Sequence, residues 1–314
     1  MGLTLLSPYA YDATRSPLRL VAMEDCWLTQ FVTAIRVRIR ILAALAAMAV
    51  STAASGGAAA EAPKAIDATT LPATVQPAMP WRLGATPIPL RRDGFGMVLT
   101  TPPQLEDRRL PTIERLPPPR SGRFEFTVRS GDQAIQAGMP ALHPDCPVQL
   151  DDLAYITVSF WGFDGRPHTG ELVIHRRVAG KIVGVFARLY DARFPIEEMR
   201  LITAADIAAR PTGDGNNTAA FLCRGPLGVN RRQKQWSAHA YGLAVDLNPF
   251  QNPYWHRTLV LPELAAAYLD RKRVRPGMIR AGDVVTQAFA EIGWAWGGAW
   301  QSKFDYMHFS ESGK

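Results

Sequence analysis

Proline divides this chain. Twelve of its 25 prolines fall within residues 61–120, among them Pro102-Pro103 and Pro117-Pro118-Pro119. Each proline fixes its own φ and removes an amide donor, so a dense run neither propagates a helix nor sits inside a sheet. Residues 61–122 are therefore expected to form an extended linker, with Gly94–Leu99 apolar enough to lay a strand on a neighbouring domain. Alternating and amphipathic patterns begin near Arg123, which places the folded domain over residues 123–314. With 314 residues, 47% hydrophobic and 20% charged, the chain can bury a core. It has neither a glycine at every third position nor a sustained heptad, so collagen-like and coiled-coil architectures are excluded.

Ahead of the prolines, Arg36, Arg38 and Arg40 precede the apolar run Ile41–Val50, and small residues follow as far as Ala58-Ala59-Ala60. A basic flank, a short apolar stretch and an A-x-A site predict an export signal over residues 1–60. The run is shorter than the ~20 residues of a membrane span, and an uncleaved N-terminal anchor is the alternative. Export would remove Cys26 and leave Cys146 and Cys223 in an oxidising compartment, where they are expected to pair. Such a bond closes a loop of 223 − 146 = 77 residues, which corresponds to ~4 kcal/mol if unstrained. Two buried free thiols are the other reading.

The formal charge is 35 − 28 = +7. Its basic clusters, Arg231-Arg232-Gln233-Lys234 and Arg271-Lys272-Arg273, are too short to form a nucleic-acid stripe, so no nucleic-acid partner is expected. A mild positive excess suits an anionic substrate.

Within the domain, Leu153–Phe160 and Glu171–His175 are β-branched and aromatic runs around a Gly-rich turn, which predicts a hairpin. Val178, Ile182, Val185, Phe186 and Leu189 recur at helical spacing, predicting a helix over 176–190 packed on it. Short strands are expected near Phe194–Ile196 and Met199–Ile202. A second helix is expected around Val284–Ile292, ended by Gly293. The order of strands, helix, strands, helix, strands indicates an α+β domain.

The chemistry concentrates in two segments. In Trp236–Pro249, Leu243, Val245 and Leu247 alternate with Ala244, Asp246 and Asn248, a strand with a carboxylate on its polar face. A continuous strand would put His239 and Asp246 on opposite faces, and Gly242 is the natural bend that reunites them. In the second segment, Asp305 is expected at a strand entry and His308 on the strand, with Phe309 turned into the core. His239, Asp246 and His308 make one set of zinc ligands, two imidazoles and a carboxylate with a fourth position open, and Asp305 is the candidate proton acceptor. Taken singly, each residue has a structural reading: a core histidine, a turn or capping aspartate. Trp294, Trp296 and Trp300 read as core or pocket wall.

The motifs Ser237-x-His239-x-x-Gly-x-Ala-x-Asp246 and Asp305-x-x-His308 resemble the D-alanyl-D-alanine carboxypeptidase and L-alanyl-D-glutamate endopeptidase family of zinc peptidases. Asn248-Pro249, Asn252-Pro253-Tyr254 and Trp296-Gly-Gly-x-Trp300 add to the resemblance, which spans roughly residues 135–310. It implies an LAS-type zinc peptidase fold, a small antiparallel sheet flanked by helices. It also implies one zinc per chain on His239, Asp246 and His308, with Asp305 as general base. Arg224 resembles the family's arginine that binds substrate and polarises the scissile carbonyl, and Ser237 is implied to bind the peptide. Many members carry Glu where this chain has Asp305, which inclines the reading toward the endopeptidase branch.

The expectation is a monomeric enzyme acting on peptidoglycan stem peptides, secreted, periplasmic or cell-wall associated. A non-catalytic wall-binding protein of the same fold and a zinc amidase are the alternatives.

Overall fold

The computed structural model describes residues 81–130, 145–226 and 235–313. The expected export signal and the Arg231–Lys234 cluster lie outside the described residues. Among the described residues, no helix is long and apolar enough to cross a membrane.

A three-stranded antiparallel sheet forms the frame. It comprises β1 (Phe126–Ser130), β2 (Leu153–Trp161) and β3 (Pro167–His175) in that spatial order. Leu153 faces His175 and Trp161 faces Pro167 across the predicted hairpin. Period-two alternation puts Ile156, Val158, Leu172 and Ile174 on one buried face. Against that face packs α1 (Ala179–Asp191), entered through a 3-10 turn at Arg176–Val178. Its Ile182, Val185, Phe186 and Leu189 are buried, as the helical spacing requires.

The chain continues through β4 (Glu198–Met199), the short α2 (Ala204–Ala208) and β5 (Asn217–Thr218). β4 and β5 pair in parallel. Of the strands expected at Phe194–Ile196 and Met199–Ile202, only β4 and a bridge from Trp161 to Pro195 form. Next come β6 (Ala244–Asp246), the hairpin β7 (Tyr254–His256) and β8 (Leu259–Leu261), and α3 (Val284–Glu291). Asp283 caps α3 by accepting the Thr286 N–H at 2.9 Å. Last are β9 (Ala295–Trp296), β10 (Phe304–Asp305) and β11 (His308–Ser310).

Two further antiparallel sheets result, β6-β11-β9 and β10-β7-β8. Val245, Leu247 and Phe309 are sealed into the core that β2, β3 and α1 begin, and Phe289 of α3 stacks on Phe309 at 4.0 Å. The architecture is mixed, small antiparallel sheets with few helices, in keeping with the α+β expectation.

Residues 81–122 do not behave as the expected free linker. Proline prevents ladder pairing, but it leaves side chains and carbonyls able to dock, and this arm docks through its middle, around Ile88, Thr101, Leu105 and Arg108. Leu105 is buried with Phe250, Leu264, Tyr268 and Met278. Thr101 Oγ1 donates to the Leu264 carbonyl at 2.6 Å. Arg108 is 2% exposed and lies over the Phe250 ring. Its guanidinium donates to both carboxylate oxygens of Glu197, which is 5% exposed, at 2.8 and 2.6 Å. A third donation reaches the Asp214 carbonyl at 2.8 Å. A bidentate, fully desolvated pair of this kind belongs to a core, so the folded unit reaches back to Trp81 instead of beginning at 123.

The second basic cluster is structural as well. Arg271 donates to the carbonyls of Gln251 and Ile279, and Arg273 pairs with Asp107 of the arm. Cys146 and Cys223 form a disulfide with Cα atoms 5.8 Å apart.

Candidate metal centre

Two local devices bring distant ligands together. The first is a reversal. His239 sits on a 3-10 turn, Ala238–Tyr241, that ends at Gly242 with φ +64°. A Cβ there would lie 2.6 Å from the backbone nitrogen of His175, so only glycine fits. The reversed chain enters β6 and returns Asp246 to His239. The second device is register. His308 and Asp246 are direct partners in the antiparallel β11–β6 pair, so their side chains project from the same face.

Three donor atoms meet in a tight triangle. His239 Nε2 lies 3.2 Å from Asp246 Oδ1, His308 Nδ1 lies 3.0 Å from the same oxygen, and the two ring nitrogens are 3.1 Å apart. His239 and His308 are 4% and 5% exposed, while Asp246 keeps one side toward solvent.

Hydrogen-bond accounting decides what fits there. His239 Nδ1 is 2.6 Å from the Ala220 carbonyl, which only accepts, so Nδ1 carries the proton. With Nδ1 turned to Ala220, Nε2 is the His239 ring atom that faces the Asp246 carboxylate oxygen and the second imidazole nitrogen. Three such atoms in contact need a positive centre among them, a shared proton or a metal ion. Tetrahedral zinc with bonds of about 2.05 Å separates its ligand atoms by ~3.3 Å, close to the spacing found. Two imidazoles, a carboxylate and a carbonyl fixing the tautomer of one imidazole suit zinc.

The charges conform. Burial by itself would raise the Asp246 carboxyl, but His239 and His308 outweigh it and hold the group far below the ordinary carboxylate range.

Asp305 stands beside the triangle on β10, paired with Tyr254 of β7. Its Oδ1 is sealed from solvent and has no hydrogen-bond partner. Burial, reinforced by the negative charge of Asp246, raises its carboxyl to about 7, against the pull of His308, Arg224 and Lys303. Gly297 makes room for it: a Cβ at that position would lie 2.7 Å from the Asp305 carbonyl oxygen and 2.9 Å from its Cβ.

Arg224 is close enough for its charge to act on Asp305, and its Nη1 donates to the Gly225 carbonyl at 3.2 Å. Ser237 donates its backbone N–H to the Arg224 carbonyl at 3.1 Å, and its Oγ is buried with no partner. All six residues singled out in the sequence thus belong to one region, with His239, Asp246 and His308 in mutual contact.

Sequence reading missed the Ala220 carbonyl, which has no side-chain signature. It also missed Gly297 and Lys303, whose ammonium lies 4.7 Å from the Trp300 ring centre. Trp300 in turn packs on His308, whereas Trp294 belongs to the core.

No curated protein and no solved structure matches the chain. Residues 231–311, which carry Ser237, His239, Asp246, Asp305 and His308, match the family model described as D-alanyl-D-alanine carboxypeptidase, the family that the two motifs resemble.

Proposed function

We propose that this protein is an exported zinc peptidase that hydrolyses peptide bonds in the stem peptides of peptidoglycan. The observation that carries the reading is the triangle of His239 Nε2, Asp246 Oδ1 and His308 Nδ1 beside Asp305, whose buried Oδ1 has no hydrogen-bond partner. The family match over residues 231–311 supports it. The disulfide suits an oxidising compartment.

Zinc bound by these three donors supplies a polarised scissile carbonyl and a water acidic enough to ionise near neutral pH. The chain supplies the rest. Asp305 accepts the proton of the attacking water as the new carbon–oxygen bond forms. It returns that proton to the amine nitrogen as the carbon–nitrogen bond breaks. Arg224 presents a guanidinium to the developing oxyanion or to a peptide carboxylate, and the Ser237 hydroxyl binds the peptide backbone.

Purified muropeptides incubated with zinc-loaded protein, with a chelated control, test the reading by mass spectrometry. Loss of terminal D-alanine identifies a carboxypeptidase, and release of an internal fragment identifies an endopeptidase. An unchanged mass spectrum for every stem peptide overturns the proposal.

A further inference from the structure

Several backbone supports of the His239 side of the site come from one short segment, Ala219–Arg224. Ala219 exchanges two backbone hydrogen bonds with Asp246, at 3.0 and 2.8 Å. The Ala220 carbonyl accepts the His239 Nδ1 proton at 2.6 Å. The Leu222 N–H donates to the His239 carbonyl at 3.3 Å, and the Arg224 carbonyl accepts the Ser237 N–H at 3.1 Å.

Successive residues of one strand-like run thus hold a metal-binding aspartate, set the tautomer of a metal-binding histidine, and carry the arginine. On its other side the run is bonded from the Phe221 N–H to the Val173 carbonyl. Its covalent anchor is Cys223, next to Arg224, joined to Cys146. Around that anchor Phe221 is buried against Val148, Leu153 and Val173, so one end of the segment is pinned to the β2–β3 frame.

We propose that the Cys146–Cys223 bond is a positioning device for the metal centre: it holds Ala219–Arg224 in the register at which Ala219 bonds Asp246 and Ala220 orients His239. The inference rests on the metal-site reading above. A bond serving only the stability of the domain would leave the centre's affinity for zinc unaltered in protein that remains folded. A positioning bond would not, because the groups that orient metal ligands set affinity by about 10- to 100-fold.

The test compares the full chain with its Cys146→Ser/Cys223→Ser variant, avoiding thiols that would themselves bind zinc. Competitive zinc titration and the exchange-protected His239 Nδ1–H resonance are measured in both, with circular dichroism as the check on folding. In the parent protein, tight zinc binding tests the metal-site reading by itself. In the variant, a folded spectrum with zinc binding weakened at least tenfold and the Nδ1–H resonance lost or exchanging rapidly is the expected result. Parent-like affinity and a protected Nδ1–H in the variant would overturn the inference while leaving the metal site intact. Global unfolding of the variant would overturn it too, because the bond would then hold the whole domain.

Discussion

His308 faces Asp246 directly across the β11–β6 pair, and its Nδ1 lies 3.0 Å from the Asp246 carboxylate. Register therefore builds two thirds of the candidate metal centre, since a one-residue slip of β11 would turn His308 to the opposite face and bring Phe309 out of the core. Zinc should stabilise the fold through this pairing. At a free zinc concentration a hundred times the dissociation constant, stability should rise by about 2.7 kcal/mol. Thermal unfolding of the parent protein should shift upward on adding zinc, and that of His308→Ala should not.

Asp305 holds the proton in the proposed reaction without being a ligand. Asp305→Asn should lower kcat by about 10²- to 10⁴-fold while zinc content stays at the parent level. Stem-peptide hydrolysis and metal analysis on the same preparation check it. Near-parental turnover in this variant would remove Asp305 from the mechanism.

The same carboxyl predicts a pH dependence in the metal-free protein. Its folded value near 7 lies above the ordinary 3.8, so the folded state binds this proton more readily than the unfolded chain. The contribution is fully present below about pH 4 and is lost as pH rises through 7. Glu263, also raised by burial, acts in the same direction. Chelated protein should lose stability to urea between pH 4 and 7, and Asp305→Asn should lose measurably less. Equal slopes for the two proteins would contradict the raised carboxyl.

Gly297 offers a steric test. The Cβ of Gly297→Ala would meet the Asp305 backbone and Cβ at 2.7 and 2.9 Å and the His308 Cβ at 3.3 Å. Displacing the base before the ligands should reduce kcat at least tenfold, in keeping with the cost of small misplacements, with a smaller change in zinc affinity. Kinetics and zinc titration of the variant would show the split.

Far from the centre, Arg108→Met should cost about 3–5 kcal/mol, because it leaves Glu197 charged and buried without its partner. Urea denaturation measures it. The double variant Arg108→Met/Glu197→Leu should recover much of the loss, since removing both charges removes the desolvation penalty.

The sequence exposes the local parts of this protein and hides the long-range ones. Helical spacing marks α1, and alternation marks the β2–β3 hairpin. Gly242 announces the bend between His239 and Asp246 because few residues adopt its conformation. The opposition of His308 and Asp246 is a pairing between strands 62 residues apart, and nothing in either segment encodes the partner. The Ala220 carbonyl is invisible for another reason: every residue has one, and only tertiary structure says which one meets an imidazole. Proline misleads about the arm. It reports the lack of hydrogen-bonded ladders but not what the residues between prolines touch, and Arg108 gives no hint in sequence of its burial against Glu197.

The docked arm also determines how this protein can be subdivided. Asn216 donates to Glu197 at 2.8 Å, and the Glu197 N–H donates to the side chain of Asn248, two residues beyond Asp246. A fragment cut at residue 123, where the proline-rich stretch gives way to regular patterning, would strip the cover from Phe250 and Tyr268 and loosen the loop that follows Asp246. Engineers wanting a minimal folded unit from this chain should keep everything from Trp81 onward, since the seemingly dispensable prelude is a wall of the same building.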